Sequence, residues 1–157
     1  MNTPTSSGHA TSAEACSGSA LGLLFRQARD AMWARMEQEL ADAGHDLTFS
    51  QFITIKKLAT GTASVTDLAR AADLNPGAMT RLLDKLEARG QLVRVADPAD
   101  RRDLHIHLTE AGVAMWRDID QCGQRVRERA LRGMDEATRT QLTRLLEQVR
   151  DNLVAED

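Results

Sequence analysis

Residues 64–112 read SVTDLARAADLNPGAMTRLLDKLEARGQLVRVADPADRRDLHIHLTEAG, and this stretch decides the fold. Ser64, followed three residues later by an aspartate, is typical of a residue that caps the start of a short helix. Asn75 predicts the start of a second helix, because asparagine is a good cap and the proline after it suits the first helical position. Gly90 suits the left-handed conformation that ends a helix. The sequence therefore predicts two helices separated by a tight turn.

The second half of this stretch predicts a β-hairpin. A short strand pattern runs from Leu92 to Val95, and residues 104–108 alternate apolar and polar side chains, which is the period of a half-buried strand. Residues 97–102, between the two strands, are rich in turn-forming Asp and Pro. A helix, a tight turn, a second helix and a hairpin, in this order, make a winged helix-turn-helix.

Helical patterns continue outward in both directions. Apolar residues recur every three or four positions over residues 21–40, and a capping box at Thr48 begins another helix. Thr109 begins a long helix, and Asp135 begins a last helix with one apolar stripe. We predict a mainly α fold with a small β-hairpin wing, that is, a winged helix-turn-helix on a helical dimerisation scaffold.

The chain divides into three predicted regions. Residues 1–18 are rich in Ser, Thr, Gly and Ala, and we expect a disordered tail there. Residues 46–108 form the predicted DNA-binding domain. Residues 19–45 and 109–155 form the predicted dimerisation region, because the apolar stripes of the terminal helices would otherwise be exposed.

Composition narrows the class of protein. The net charge is −3, from 20 basic and 23 acidic residues, so the whole chain is not a basic nucleic-acid binder, although residues 50–108 carry nine basic against seven acidic side chains. No apolar run approaches the ~20 residues that span a bilayer, and the first residues do not resemble a secretory signal, so we expect no membrane association. Two cysteines, Cys16 and Cys122, provide no disulfide framework, which fits the cytoplasm.

Residues 75–89 are the candidate recognition helix. Its apolar side must pack on the preceding helix. The outward positions are Gly77, Ala78, Thr80, Arg81 and Lys85. Arg81 can form two hydrogen bonds with guanine O6 and N7, Thr80 can bond a base edge or a phosphate, and the free N–H groups that follow Asn75 can hold a phosphate. We add Ser64 to this DNA-binding set.

The predicted wing tip carries Arg101 and Arg102. Arginine at a hairpin tip suits insertion into a narrow, electronegative minor groove. Asp97 or Asp100 can hold one of the guanidinium groups in place by a charge-assisted hydrogen bond. The alternative is a solvated turn whose charges keep an edge strand soluble. The position of the hairpin directly after a recognition helix favours contact with DNA.

Residues 64–112 resemble the MarR family of bacterial regulators, in the DxxDRR-type wing and in the Leu-Thr-Glu-x-Gly start of the next helix. The helix order extends the resemblance over residues 20–155. The resemblance implies a homodimer formed by the first and the last two helices, binding to pseudo-palindromic operators, repression, and release by a small phenolic or aromatic carboxylate ligand. It places the DNA-reading positions on Ala78, Thr80, Arg81 and Lys85, together with the wing arginines.

The resemblance also implies a ligand cleft bordered by several large side chains. They are Trp33, Met36, Phe49, Phe52, Met115 and Trp116. The alternative for each of them is packing in the core or in a dimer interface. An apolar pocket with one charge that orients a carboxylate is expected, and either Arg29 or Arg35 can supply that charge.

Metal binding, redox sensing, catalysis and binding to other proteins are the alternative functions. His105 and His107 share a strand face with Asp103, but no further ligands with suitable spacing appear, so we predict no metal and no cofactor. A redox-responsive regulator would use Cys16 or Cys122. No phosphate loop, catalytic triad or metalloprotease motif is present, so we predict that the protein is not an enzyme. A winged helix that binds other proteins and not DNA stays open.

Overall fold

The structure, a computed structural model, describes residues 20–100, 102 and 104–155. Helices and two-to-five-residue strands follow one another in the order that the sequence predicts, with one added strand. The elements are α1 (Ala20–Asp42), α2 (Phe49–Ala59), β1 (Ala63–Ser64), α3 (Val65–Ala71), α4 (Pro76–Ala88), β2 (Leu92–Ala96), β3 (Leu104–Leu108), α5 (Glu110–Ala130) and α6 (Glu136–Val154). The predicted fold class, mainly α with a winged helix-turn-helix, is confirmed.

Helix starts are set by side chains that the sequence already identified. Thr48 and Gln51 form a reciprocal capping box, in which each side chain accepts a hydrogen bond from the other residue's backbone N–H. The Asn75 carboxamide oxygen accepts from the N–H of Ala78 at 2.8 Å. Ser64 accepts from the N–H of Asp67 at 3.2 Å. Each cap satisfies a backbone donor that the helix itself leaves unpaired.

The sheet has three antiparallel strands in the order β1-β3-β2. Ile106 is the central residue, since its partners are Ala63 on β1 and Arg94 on β2, and its side chain is fully buried. The hairpin β2–β3 agrees with the sequence prediction. Strand β1 was not predicted, because two residues carry no detectable alternation and become a strand only through pairing with β3.

The core lies beneath the helix-turn-helix and continues along α5. Met79, Leu83 and Leu86 bury the inner side of α4, and Ile119 and Cys122 bury one side of α5. Fully burying one such aliphatic side chain contributes about 1.5–3 kcal/mol. Packing of this inner side leaves the opposite, polar side of α4 facing solvent.

The terminal helices are packed much less well within the protomer. Helix α6 buries none of its residues, and Leu145, Leu146 and Leu153 are 52%, 44% and 80% exposed. Helix α1 exposes Leu24 and Phe25 near its start. The sequence predicts dimerisation through these apolar surfaces, and this stays a prediction. None of the helices in the described part of the chain combines the length and apolarity that a bilayer crossing requires.

Two sequence predictions lie outside the described residues. They are the disordered tail at residues 1–18, which includes Cys16, and the placement of Arg101 and Asp103 in the wing.

Candidate functional site

The outer side of α4 is polar and open to solvent. Thr80, Arg81 and Lys85 are exposed, as is Gly77, while Ala78 is half-buried. The apolar residues of the same helix face inward. The predicted recognition helix therefore presents the expected residue types on one accessible side, with the two basic side chains one helical turn apart.

Arg81 and Lys85 also line a shallow groove between α4 and the start of α2. The groove encloses about 260 Å³, and its other lining residues are Thr48, Gln51, Ala78 and Leu82. The sequence pattern does not place α2 beside the predicted DNA-binding side of α4. The only available signal was the capping box, which locates the helix start but does not show what lies beside it.

The Thr80 hydroxyl forms a hydrogen bond within its own helix. Its hydroxyl donates to the carbonyl oxygen of Pro76 at 2.9 Å. The hydroxyl proton is thereby engaged, and the oxygen presents lone pairs to solvent. In this rotamer Thr80 can accept a hydrogen bond from a base amino group, whereas a hydrogen bond to a phosphate would require the hydroxyl to turn away from Pro76.

Arg94 was missed by the sequence analysis. It lies on β2, and its guanidinium bonds to α4 through Asp84, Glu87 and the backbone carbonyl of Thr80. The sequence does contain a pattern that predicts this contact. A basic residue at an inward position of a strand needs an acidic partner, and two carboxylates occur three residues apart on the preceding helix. This contact ties the wing to the recognition helix.

Two aspartates shape the wing turn through hydrogen bonds from the backbone. The predicted pairing of Asp97 or Asp100 with a wing guanidinium stays a prediction, because Arg101 lies outside the described residues. Asp97 accepts from the N–H of Ala99 at 2.8 Å, and Asp100 accepts from the N–H of Arg102 at 2.9 Å. Such bonds shape a turn by pairing backbone donors. His105 Nε2 lies 3.1 Å from the other oxygen of Asp97. The hydrogen bond from Ala99, followed by that with His105, lowers the pKa of Asp97. The Arg102 side chain is exposed.

A second site lies between α1, α2 and α5. This cleft encloses about 490 Å³ and brings together five predicted ligand-binding residues, with further residues that were not predicted. The predicted five are Arg29, Trp33, Met36, Phe49 and Phe52, and the others are Met32, Lys56, Gly123, Val126 and Arg127. Trp33 packs edge-to-face on Phe49, with ring centroids 4.8 Å apart. The lining can take a flat, apolar molecule.

Met115 and Trp116 do not line this cleft. Met115 is buried in the core and Trp116 packs against it, so core packing, the alternative weighed above, describes their placement. The charges at the cleft also differ from expectation. Arg35 pairs with Glu39 at 2.9 Å and does not line the cleft. Of the two arginines predicted to orient a carboxylate, Arg29 is the one that lines the cleft. Lys56 lies 6.0 Å from the Phe52 ring centroid and adds a cation that the sequence analysis missed.

Cys122 is enclosed at the α1–α5 contact. Its Sγ lies 3.5 Å from the Glu39 carbonyl oxygen and accepts from Arg125 Nη2 at 3.2 Å. Burial raises the pKa of the Cys122 thiol, which lowers its reactive thiolate fraction. This environment gives a redox role at Cys122 no support. Within residues 20–100, 102 and 104–155, no three metal-ligating side chains cluster.

Together, the fold and the polar side of α4 define a winged-helix DNA-binding regulator. The sequence model of the MarR family matches residues 47–104. The transcriptional regulator FarR of Neisseria gonorrhoeae is 33% identical over 110 residues, covering 69% of this chain and 70% of FarR. The transcriptional repressor NicR of Pseudomonas putida is 27% identical over 133 residues, covering 84% of this chain and 83% of NicR. The chain belongs to the MarR family.

Solved structures of regulators share this fold. BpsR of Bordetella bronchiseptica, whose DNA binding is regulated by 6-hydroxynicotinic acid, superposes with a TM-score of 0.69 at 27% identity, covering 83% of this chain and 93% of BpsR. NadR, solved in complex with 4-hydroxyphenylacetate, gives a TM-score of 0.68 at 27% identity, covering 94% of this chain and 97% of NadR. The family and these relatives are DNA-binding transcriptional regulators, and some respond to small aromatic ligands.

Proposed function

We propose that this chain is a homodimeric transcriptional repressor that leaves its operator when an aromatic carboxylate binds the cleft between α1, α2 and α5. The observation that carries the proposal is the position of α2 between the two candidate sites. One side of α2 presents Phe49, Phe52 and Lys56 to the cleft. Its start presents Thr48 and Gln51 to the groove beside Arg81 and Lys85.

A ligand in the cleft would act through this shared helix. A bound ring that separates Trp33 from Phe49 would shift the start of α2, and with it the groove that borders α4. A ligand changes an equilibrium only by as much as its affinity differs between the two states. The ligand must therefore bind better to the arrangement in which α4 and its partner's α4 do not match successive major grooves.

The chemistry of the cleft favours an aromatic acid. Three ring systems on α1 and α2 supply the apolar contact, and Arg29, Lys56 and Arg127 bring positive charge to the lining of the cleft. The Arg29 guanidinium is 2.8 Å from Asp30, so it is partly neutralised, whereas Lys56 is placed over the Phe52 ring. A carboxylate beside Lys56 and a ring against Trp33 would satisfy both features. Two aromatic acids of this type are 6-hydroxynicotinic acid, which regulates the DNA binding of BpsR, and 4-hydroxyphenylacetate, which is bound in the NadR structure.

DNA binding is assigned to the polar side of α4 together with the wing. Arg81 is exposed and centrally placed for base contact, Lys85 follows one turn later, and the exposed Arg102 lies in the wing turn. We place the action of the protein in the cytoplasm, where a bacterial chromosome is accessible. Two α4 helices related by a two-fold axis would bind half-sites whose centres are about 10 base pairs, or a multiple of that, apart.

The proposal is tested with DNA selected by the protein itself. Wild-type protein is used to enrich duplexes from a randomised library, and affinity for the selected duplex is measured with increasing 4-hydroxyphenylacetate, 6-hydroxynicotinate or tyrosol, which lacks the carboxylate. We expect the two acids to weaken DNA binding and tyrosol to act only at much higher concentration. Trp33→Ala should bind DNA normally and lose the response. Failure to enrich any sequence would refute the DNA-binding function, and release by tyrosol at the same concentration would refute the carboxylate assignment.

A further inference from the structure

The Arg94 side chain joins two elements that must both reach DNA. Its Nη2 donates to Asp84 Oδ1 at 2.8 Å and to the Thr80 carbonyl oxygen at 3.2 Å, and Nη1 donates to Glu87 Oε1 at 3.4 Å. Only 19% of the side chain is exposed. One guanidinium on the wing strand thus engages three acceptors on the recognition helix.

We propose that Arg94 is a positioning residue for DNA recognition, which sets the distance and angle between α4 and the wing so that both fit the duplex together. The inference rests on the proposed DNA-binding function. Arg94 itself makes no contact with DNA in this assignment. Its effect is transmitted through Thr80, because Arg94 donates a hydrogen bond to the Thr80 carbonyl oxygen and Thr80 is exposed on the outer side of α4.

The two elements that Arg94 joins, β2 and α4, are each fixed by contacts with the core. On the wing, Arg94 pairs in register with the fully buried Ile106 of β3, so the strand cannot shift without disturbing the core. On α4, Asp84 follows the buried pair Leu82 and Leu83. A planar guanidinium with several fixed donors defines an orientation as well as a distance. Binding surfaces need this support, because small displacements of the contacting groups weaken recognition.

Direct contact between Arg94 and a DNA phosphate is the competing explanation. The charges oppose it, since two carboxylates face one guanidinium and leave a local excess of negative charge. That excess would repel a phosphate. The two explanations predict opposite effects for Asp84→Asn. If Arg94 contacts DNA, removal of the Asp84 charge frees it and strengthens binding, whereas if Arg94 positions the wing, the same change weakens binding.

The experiment compares Asp84→Asn, Arg94→Lys and Arg94→Ala in the full chain. Asp67→Asn is the matched control, because it removes one carboxylate charge from the same domain at a position whose basic neighbour is Arg70, 3.9 Å away. Affinity is measured by fluorescence anisotropy on the duplex selected by the wild-type protein and on a random-sequence duplex of equal length. Thermal melting of each variant reports the fold.

We expect Asp84→Asn to weaken binding to the selected duplex about ten-fold, with a much smaller change on random DNA. Arg94→Lys should lie between the wild type and Arg94→Ala, since an ammonium replaces part of the contact. Hydroxyl-radical footprints of Asp84→Asn should lose protection at the outer flanks, where the wing binds, and keep it at the half-site centres. Asp67→Asn should bind as well as the wild type or slightly better.

Tighter or unchanged binding of the selected duplex by Asp84→Asn overturns the inference, as does a footprint weakened equally at flanks and centres. These results leave the proposed function intact, because they are obtained on a duplex that the wild-type protein has selected. If no duplex is selected at all, the proposed function fails first, so the two failures are distinguishable.

Discussion

At the scale of single residues, the proposed DNA-binding side of α4 depends on which side-chain donors are available to DNA. Thr80 donates its hydroxyl proton to Pro76, and Arg94 is committed to α4. Arg81 is exposed at the centre of the outer side, and Lys85 is exposed one turn further along. Because only a bidentate donor reads guanine strongly, we expect Arg81 to carry most of the sequence preference of this helix.

Replacing Arg81 with alanine tests this expectation. Arg81→Ala should cost about 1–3 kcal/mol of binding free energy on the selected duplex and relax the base preference at one position. The melting temperature should stay within the small range of an exposed substitution. Arg89→Ala is the matched control, because Arg89 is an exposed arginine at the C-terminal end of α4, about two turns from Arg81. The measurement is the affinity of wild type and Arg81→Ala for single-base variants of the duplex. An equal loss of affinity on all variants would show that Arg81 contacts a phosphate and not a base.

At the scale of elements, the wing and α5 meet at one close backbone contact. Gly112 lies in the first turn of α5, and a Cβ added there would overlap the carbonyl oxygen of Gln91, just before β2. The same carbonyl accepts from the N–H of Thr109 at 3.1 Å. Glycine therefore lets the start of α5 pack against the base of the wing, which joins the winged helix-turn-helix to this long helix.

Gly112→Ala should destabilise the protein by about 1–3 kcal/mol, the usual cost of forcing extra volume into a packed site. Gly123→Ala, in the middle of the same helix, should leave stability unchanged or raise it, because its Cβ would meet only the end of the Arg127 side chain, and alanine favours helix more than glycine does. Urea unfolding of both variants gives the comparison. Equal stability of Gly112→Ala and the wild type would show that the two elements separate without cost.

At the scale of the whole molecule, the protomer leaves its apolar terminal surfaces uncovered. Helix α6 contributes no buried residue, although Leu142, Leu145, Leu146 and Val149 recur on one stripe. An exposed stripe of large apolar side chains is typical of an interaction surface. A second copy of the chain would cover them and also bring a second α4 to the same face of the DNA.

Leu146→Glu places a charge within this apolar stripe and should shift the protein from dimer to monomer, with a large loss of operator affinity because the two half-sites no longer bind together. Gln148→Glu adds the same charge two residues away, on another side of the helix, and should remain a dimer. Sedimentation velocity at micromolar concentration measures the outcome. A wild-type monomer that binds the selected duplex tightly would contradict the dimer proposal.

Local interactions are what the sequence by itself determined about this protein. The caps at Thr48, Ser64 and Asn75 join atoms within three residues of one another, so their chemistry can be read without knowing the fold. The hairpin and the inner side of α4 follow from periods of two and 3.6 residues in the same way. The fold class and the exposed side of the recognition helix were therefore accessible from the sequence.

Contacts between distant residues were decided only by the tertiary structure. Strand β1 exists because Ala63 pairs with Ile106, and Arg94 can bond to Asp84 because the fold brings β2 into contact with α4. Met115 lies on α5, the helix whose Gly123 and Val126 line the cleft, but the Met115 side chain is buried in the core. Helical periodicity identifies an apolar side, but the rotation and packing of neighbouring helices determine whether that side encloses a cavity or fills one.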